Sequence, residues 1–201
     1  MIYRSKIGVL RSRNSGLTRI PRVTRRIAMV AITNINSVPS SSTKRYKTRL
    51  VAKGFAQTED VDYFETFSPV VKMATVRVVL ALTSIHRWTI QQLDVNNALL
   101  HGDLSEDVYM TVPPSVSVSG SSKCCKLHKS LYGLRQSSRK WYEKFSILLL
   151  SCGYQQAHAD HSLFIKSVDS SFTALIIYVD DIILIGNSND SLMYCETYIK
   201  N

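Results

Sequence analysis

The run ALIIYVDDIILIG, Ala174 to Gly186, constrains the fold more than any other segment, because two adjacent aspartates interrupt an otherwise apolar stretch. So apolar a run predicts a strand buried on both faces, where one unpaired carboxylate costs on the order of several kcal/mol. In one straight strand Asp180 and Asp181 would also point to opposite faces. A tight hairpin turn near Val179 and Asp180 resolves the conflict by splitting the run into two antiparallel strands with the acids at the tip. Neither Gly nor Asn stands at that tip, so turn chemistry does not account for these residues.

Adjacent carboxylates repel, and such a pair takes up a proton unless a cation compensates. Hard divalent ions such as Mg²⁺ prefer carboxylate oxygens and are held by one or two of them together with a phosphate. Two such ions, about 3.5–4 Å apart, activate the attacking oxygen and stabilise the leaving one in phosphoryl transfer. The plain alternative is a polar hairpin tip with no ligand. Asp94 in IQQLDV also ends an apolar strand, and a third carboxylate would complete a two-ion site. Taken alone, an Asp at that place is more often a helix N-cap.

Charge is distributed unevenly. The chain carries a formal net charge of +10, yet no acidic residue precedes Glu59, and positions 1–58 hold 13 Lys and Arg. The remaining 12 basic and 15 acidic residues leave the rest at 12 − 15 = −3. The nucleic-acid footprint that a basic balance implies therefore sits in the first 58 residues. Residues 1 to about 40 are rich in Arg and Ser, without hydrophobic period. They read as a basic nucleic-acid-binding tail, as a transit-like peptide, or, preferred here, as a solvated leader without a fold. With 45% hydrophobic and 20% charged residues, the whole reads as globular. Four cysteines without a CxxC pair point to a reduced, intracellular setting, cytoplasm or nucleus. No apolar run approaches the roughly 18 residues of a membrane span.

Along the chain, KRYKTRLVAKGFAQ (Lys44 to Gln57) alternates basic and apolar residues as a half-exposed strand or hairpin. TVRVVLALTSIHR carries Val76, Val79, Leu80 and Thr83 at helical spacing, with Val78 and Leu82 widening the face, and predicts a well-buried helix. WTIQQLDV reads as a short strand, NNALLHGDL as a turn into a short helix closed near Gly102, and Pro113 to Ser122 as a loop. Trp141, Phe145, Leu148, Leu149 and Cys152 predict a helix over 139–152, stopped by Gly153. SLFIKS and the split run read as strands, and SLMYCETYIKN as the start of a helix. Helices and strands mix without strict βα alternation, which makes the fold class α+β. His158 and His161 receive no metal role.

Six blocks taken together resemble the reverse transcriptase domain of copia-type retrotransposons: RYKTRLVAKGFAQ, DYFETFSPVVKMATVR, QLDVNNALLHGDLSEDVYM, CKLHKSLYGLRQSSRKWYEKF, ADHSLFIK and YVDDIILIG. They stand in the family's order and spacing over about residues 43 to 190. The resemblance implies a right-hand polymerase with fingers and palm, an antiparallel sheet packed on helices, and primer extension with deoxynucleoside triphosphates on an RNA or DNA template. Residues 41–72 would then be fingers-like and residues 73–201 an incomplete palm, after the leader of residues 1–40. By position, Asp94, Asp180 and Asp181 are the catalytic carboxylates, and with the Val95 carbonyl they would hold Mg²⁺ or Mn²⁺. Arg49, Lys53, Leu99, Arg135 and Gln136 fall at nucleotide- or template-facing positions. Other retrotransposon proteins are implied as partners, and no membrane.

The chain departs from the family in three ways. Leu99 stands where the family has an aromatic residue beside the nucleotide sugar, so exclusion of the ribose 2′-hydroxyl should loosen. Ser138 replaces a Pro at a helix start. The family continues through further palm, a thumb and a ribonuclease H domain, whereas this chain ends about twenty residues after the doublet. The thumb is therefore expected to be absent. Loss of the phosphate contacts such domains supply should weaken the hold on a duplex and leave synthesis weak or absent. Against an active fragment stand two alternatives, a non-catalytic nucleic-acid-binding remnant and an inactive transposon-derived protein.

Overall fold

The computed structural model describes residues 26–27, 29–36, 45–112 and 124–200, with side chains within 50–112 and 124–199. Elements run in the order β1 Arg26–Ile27, β2 Met29–Asn36, β3 Arg45–Ala52, α1 Met73–His86, β4 Thr89–Asp94, β5 Tyr109–Thr111 and β6 Cys124–Lys126. They continue with α2 Ser137–Ser151, β7 Gln155–Gln156, β8 Leu163–Val168, β9 Ser171–Tyr178, β10 Asp181–Gly186 and α3 Asn189–Lys200. The architecture is mixed α and β, with a five-stranded antiparallel sheet and one small sheet that includes a parallel pair, as the lack of strict alternation predicts. The chain divides into two compact units, residues 1–66 with 99–140, and residues 67–98 with 141–201.

In the first unit, β2 and β3 form an antiparallel ladder from Met29 opposite Ala52 to Asn36 opposite Arg45. β5 pairs β1 in parallel and β6 antiparallel. The alternation over Lys44–Gln57 is β3, followed by a short 3-10 helix, Gly54–Ala56. The described part of residues 1–40 differs from an unfolded leader. Met29–Asn36 is a strand there although it carries no alternation, because pairing with β3 supplies the partner that a lone strand lacks. A core of Ala52, Val108, Met110, Leu127, Leu131 and Leu134 fills this unit. One close approach is at Gly133, where φ is +88° and a Cβ would lie 2.2 Å from the Ala52 carbonyl oxygen. Only Gly fits there, and the fit lets the Ala52 amide donate to the Tyr132 carbonyl at 2.7 Å.

The second unit is built on a five-stranded antiparallel sheet ordered β4-β10-β9-β8-β7. Ala174 to Ile177 of β9 and Ile182, Leu184 and Ile185 of β10 are buried. Central strands covered on both faces lose the alternation of a half-exposed sheet, which is why the run is apolar throughout. α2 buries Trp141, Phe145 and Leu149, one residue per turn on one stripe, and ends before Gly153, whose φ is +84°. The last helical reading is α3, which buries Leu192 and Cys195.

α1 corrects a prediction. It forms where the spacing places it, but only Thr83 is buried, while Val78, Leu80, Leu82 and Ile85 are exposed. Apolar spacing reports which residues seek cover, and among the described residues little covers this helix. Its N-terminus lacks a side-chain cap from Lys72. Instead Asp160, 88 positions away, accepts the Lys72 backbone amide at 2.8 Å and the Thr75 hydroxyl at 2.6 Å. No helix among the described residues is long and apolar enough to cross a membrane. All four cysteines are free. The loop over Pro113–Ser122 lies outside the described residues.

Candidate active site

The apolar run turns at Val179 and Asp180: β9 ends at Tyr178, β10 begins at Asp181, and those two residues face each other across the hairpin. Val179 has φ +55° and Asp180 is not among the positive-φ residues. A positive φ at the first turn position alone is the type II′ pattern, in which Gly normally stands. A β-branched residue there is a backbone outlier.

The β4–β10 ladder sets Asp181 directly opposite Asp94. Directly opposed residues share a sheet face with Cβ atoms about 4.5–5.5 Å apart, so these two carboxylates leave the backbone side by side. The Val95 amide donates to the Asp180 carbonyl at 3.0 Å, which ties the turn to the end of β4. Asp94 is exposed, and Asp180 and Asp181 are half-buried. The Gln92 side-chain amide donates to Asp181 Oδ1 at 3.1 Å. Among the described residues, no three His, Cys, Asp or Glu side chains are gathered into a metal-holding group. The three aspartates thus share a backbone neighbourhood, while their side chains do not converge on one point. The donor set is carboxylate oxygen, which fits a hard divalent cation.

The other site residues belong to the first unit. Arg49 pairs with Ile32 in the β2–β3 ladder, and its side chain lies outside the described residues. Lys53 is half-buried at the start of the 3-10 helix Gly54–Ala56. Leu99 is half-buried in a 3-10 helix, Ala98–His101, and its carbonyl accepts the Ser130 hydroxyl. Arg135 is exposed, donates from Nε to the Gly54 carbonyl at 3.2 Å, and holds its guanidinium 5.8 Å from the Tyr63 ring centroid. Gln136 is fully buried. Its amide accepts from Gln57 at 2.9 Å and donates to the Asp62 carbonyl at 3.0 Å, so the side chain works inside the unit. The other end of the Gln57 amide, its Oε1, accepts the Arg135 backbone amide at 2.9 Å.

Sequence reasoning missed two residues at the carboxylates. Gln92 could have been found, since it stands two positions before Asp94 and a strand repeats its facing every second residue. Trp141 could not: its indole N–H donates to the Val179 carbonyl at 2.8 Å, across 38 positions.

Comparisons with known proteins agree with the resemblance. The family described as "Reverse transcriptase (RNA-dependent DNA polymerase)" matches residues 17–199. The chain is 46% identical over 147 residues to the retrovirus-related Pol polyprotein from transposon RE1 of Arabidopsis thaliana, covering 73% of this chain and 10% of that protein. With the Pol polyprotein from transposon TNT 1-94 of Nicotiana tabacum it shares 44% over 144 residues, 71% of this chain and 11% of the relative. With the transposon Ty1-H Gag-Pol polyprotein of Saccharomyces cerevisiae it shares 32% over 171 residues, 79% and 9% respectively. The chain thus spans about a tenth of the length of these relatives. No solved structure matches it significantly.

Proposed function

The chain belongs to the reverse transcriptase (RNA-dependent DNA polymerase) family of copia-type retrotransposons, and from that premise we propose that Asp94, Asp180 and Asp181 serve template-directed nucleotidyl transfer. The substrates are a primer on an RNA or DNA template and a deoxynucleoside triphosphate. The observation that carries the reading is the register that sets Asp181 opposite Asp94, with Asp180 in the adjoining turn. Nothing in the turn's own chemistry calls for two acids, and a pair of opposed carboxylates without a cation is repulsive.

Asp94, Asp180 and Asp181, with the Val95 carbonyl, would hold Mg²⁺ or Mn²⁺. When bound, such ions neutralise the triphosphate and lower the barrier to attack by the primer hydroxyl. The chain's own part is orientation. Strand pairing fixes the backbones of Asp94 and Asp181, and the Val95 amide fixes the carbonyl of Asp180. Gln92 holds one Asp181 oxygen, and the other would be the one to meet a ligand. In the first unit, Arg49, Lys53 and Arg135 supply positive charge for the triphosphate or template. By the family's pattern Leu99 would be the sugar-facing position, whereas Gln136 is fully buried and would contribute only through its pair with Gln57.

Primer extension by the purified chain, with Mg²⁺ or Mn²⁺, tests this reading beside an Asp180→Asn Asp181→Asn variant. Extension by the parent that disappears in the variant is the expected result, and extension unchanged by the variant sinks it. Mg²⁺ should also raise the unfolding midpoint of the parent alone, because a ligand that binds only the folded state stabilises it. One observation favours a second reading, a non-catalytic nucleic-acid-binding protein: the 13 basic residues concentrated in positions 1–58. That reading requires equal binding by parent and variant, with extension by neither.

A further inference from the structure

The hairpin tip that carries the doublet has little packing of its own. Tyr178 and Val179 are 51% and 39% exposed, and Val179 occupies a positive φ that a β-branched side chain disfavours. A turn with a poor conformation and few side-chain contacts needs holding from outside. Both of its carbonyls are held. The Asp180 oxygen accepts the Val95 amide at 3.0 Å, and the Val179 oxygen accepts the Trp141 indole N–H at 2.8 Å. Trp141 is itself fixed, 6% exposed on the buried stripe of α2 and stacked on Phe145 with ring centroids 5.0 Å apart.

We propose that Trp141 is a positioning residue: its indole N–H latches the Val179 carbonyl and holds the strained turn, so that Asp180 and Asp181 keep their places beside Asp94. An indole is a donor only, so a buried one needs an acceptor, and the carbonyl before the doublet supplies it. A ring of the same shape without the N–H would pack as well and hold nothing. The inference deepens the proposed nucleotidyl transfer and rests on that reading for its catalytic consequence. The latch itself stands on geometry alone.

The test replaces Trp141 with 3-benzothienylalanine, which keeps the bicyclic ring and exchanges the N–H for sulfur; Trp141→Phe is the encoded second variant. Cooperative unfolding of each variant establishes that the fold survives. Amide hydrogen exchange across Tyr178–Ile182 should then be faster than in the parent. If the parent extends primers, kcat should fall by about 10–100-fold with little change in KM, the scale set by a misplacement of about 1 Å. Adding Val179→Gly should restore part of the loss, because Gly takes the positive φ without a latch. Exchange at the parental rate in a folded benzothienyl variant overturns the proposal, and so does faster exchange with an unchanged kcat. If the parent neither extends primers nor binds Mn²⁺ more tightly than Asp180→Asn Asp181→Asn, the functional reading fails by itself. The exchange comparison then still decides whether Trp141 holds the turn.

Discussion

The residues at the carboxylates divide by what holds them. Asp94 and Asp181 are set by a strand register, and each keeps a side chain that solvent reaches. Val179 and Asp180 are set through their carbonyls, by a side chain and an amide that lie elsewhere in the chain. In the first unit, by itself, Leu99 is set in a 3-10 turn, where its carbonyl accepts the Ser130 hydroxyl. Its side chain is smaller and more flexible than the aromatic ring the resemblance leads one to expect. If Leu99 lies beside the nucleotide sugar as proposed, Leu99→Phe should raise the preference for deoxy- over ribonucleotides by about tenfold, ~1.4 kcal/mol, for a better-filled pocket. Single-nucleotide incorporation with paired dNTP and rNTP substrates measures this, and an unchanged ratio removes Leu99 from the sugar position.

Among the elements, α1 and α2 are alike in apolar spacing and opposite in outcome. α2 buries a complete stripe, whereas α1 buries Thr83 alone. α1 is instead held at its start by Asp160, whose carboxylate faces the unpaired amides and the positive end of the helix. Burial by itself would raise the Asp160 carboxyl. The donations from the Thr75 hydroxyl, the Lys72 amide and Ser162 outweigh it and hold the group below its ordinary value. A depressed carboxyl contributes stability that is complete above the unfolded value, about 4, and is lost as pH falls through the lower folded one. The parent should therefore be more stable than Asp160→Asn at pH 7, with the gap closing steadily below about pH 4. Urea unfolding of both proteins at neutral and acid pH reads the difference. A gap that persists undiminished in acid means the carboxylate's charge has no part in holding α1.

For the whole molecule, what matters is where the charge lies. The net +10 arises from positions 1–58, and the remainder is slightly acidic. Any salt-sensitive hold on nucleic acid should therefore reside in that segment. Each phosphate contact contributes about 0.7–0.9 to the slope of log affinity against log salt. Replacing Arg4, Arg11, Arg19 and Arg22 by Gln should flatten that slope by several such steps, while replacing the four Lys of positions 140–200, Lys140, Lys144, Lys166 and Lys200, should leave it nearly unchanged. Salt titrations of binding to a single-stranded oligonucleotide test this, and equal slopes for the two variants would refute it.

Much of this could be read from the chain because two kinds of information are local. An apolar run cannot bury two adjacent acids, so a hairpin turn at Val179 and Asp180 follows from the cost of burying charge, and the structure turns there. The stripe Trp141, Phe145 and Leu149 repeats as a helix face repeats, and it is buried as one. Arrangements that join distant positions lie beyond such local signals. Which residue donates to the Val179 carbonyl, 38 positions from Trp141, depends on how α2 settles against the sheet. Which carboxylate caps α1, 88 positions away at Asp160, depends on where β8 begins. Gln136, read as a nucleotide contact, is drawn into a buried amide network by Gln57 and the Asp62 carbonyl. Spacing along a chain records how strongly each residue avoids or seeks water. Only packing decides what each one meets, because partners brought together at the cost of closing a long loop leave no periodic trace in the sequence.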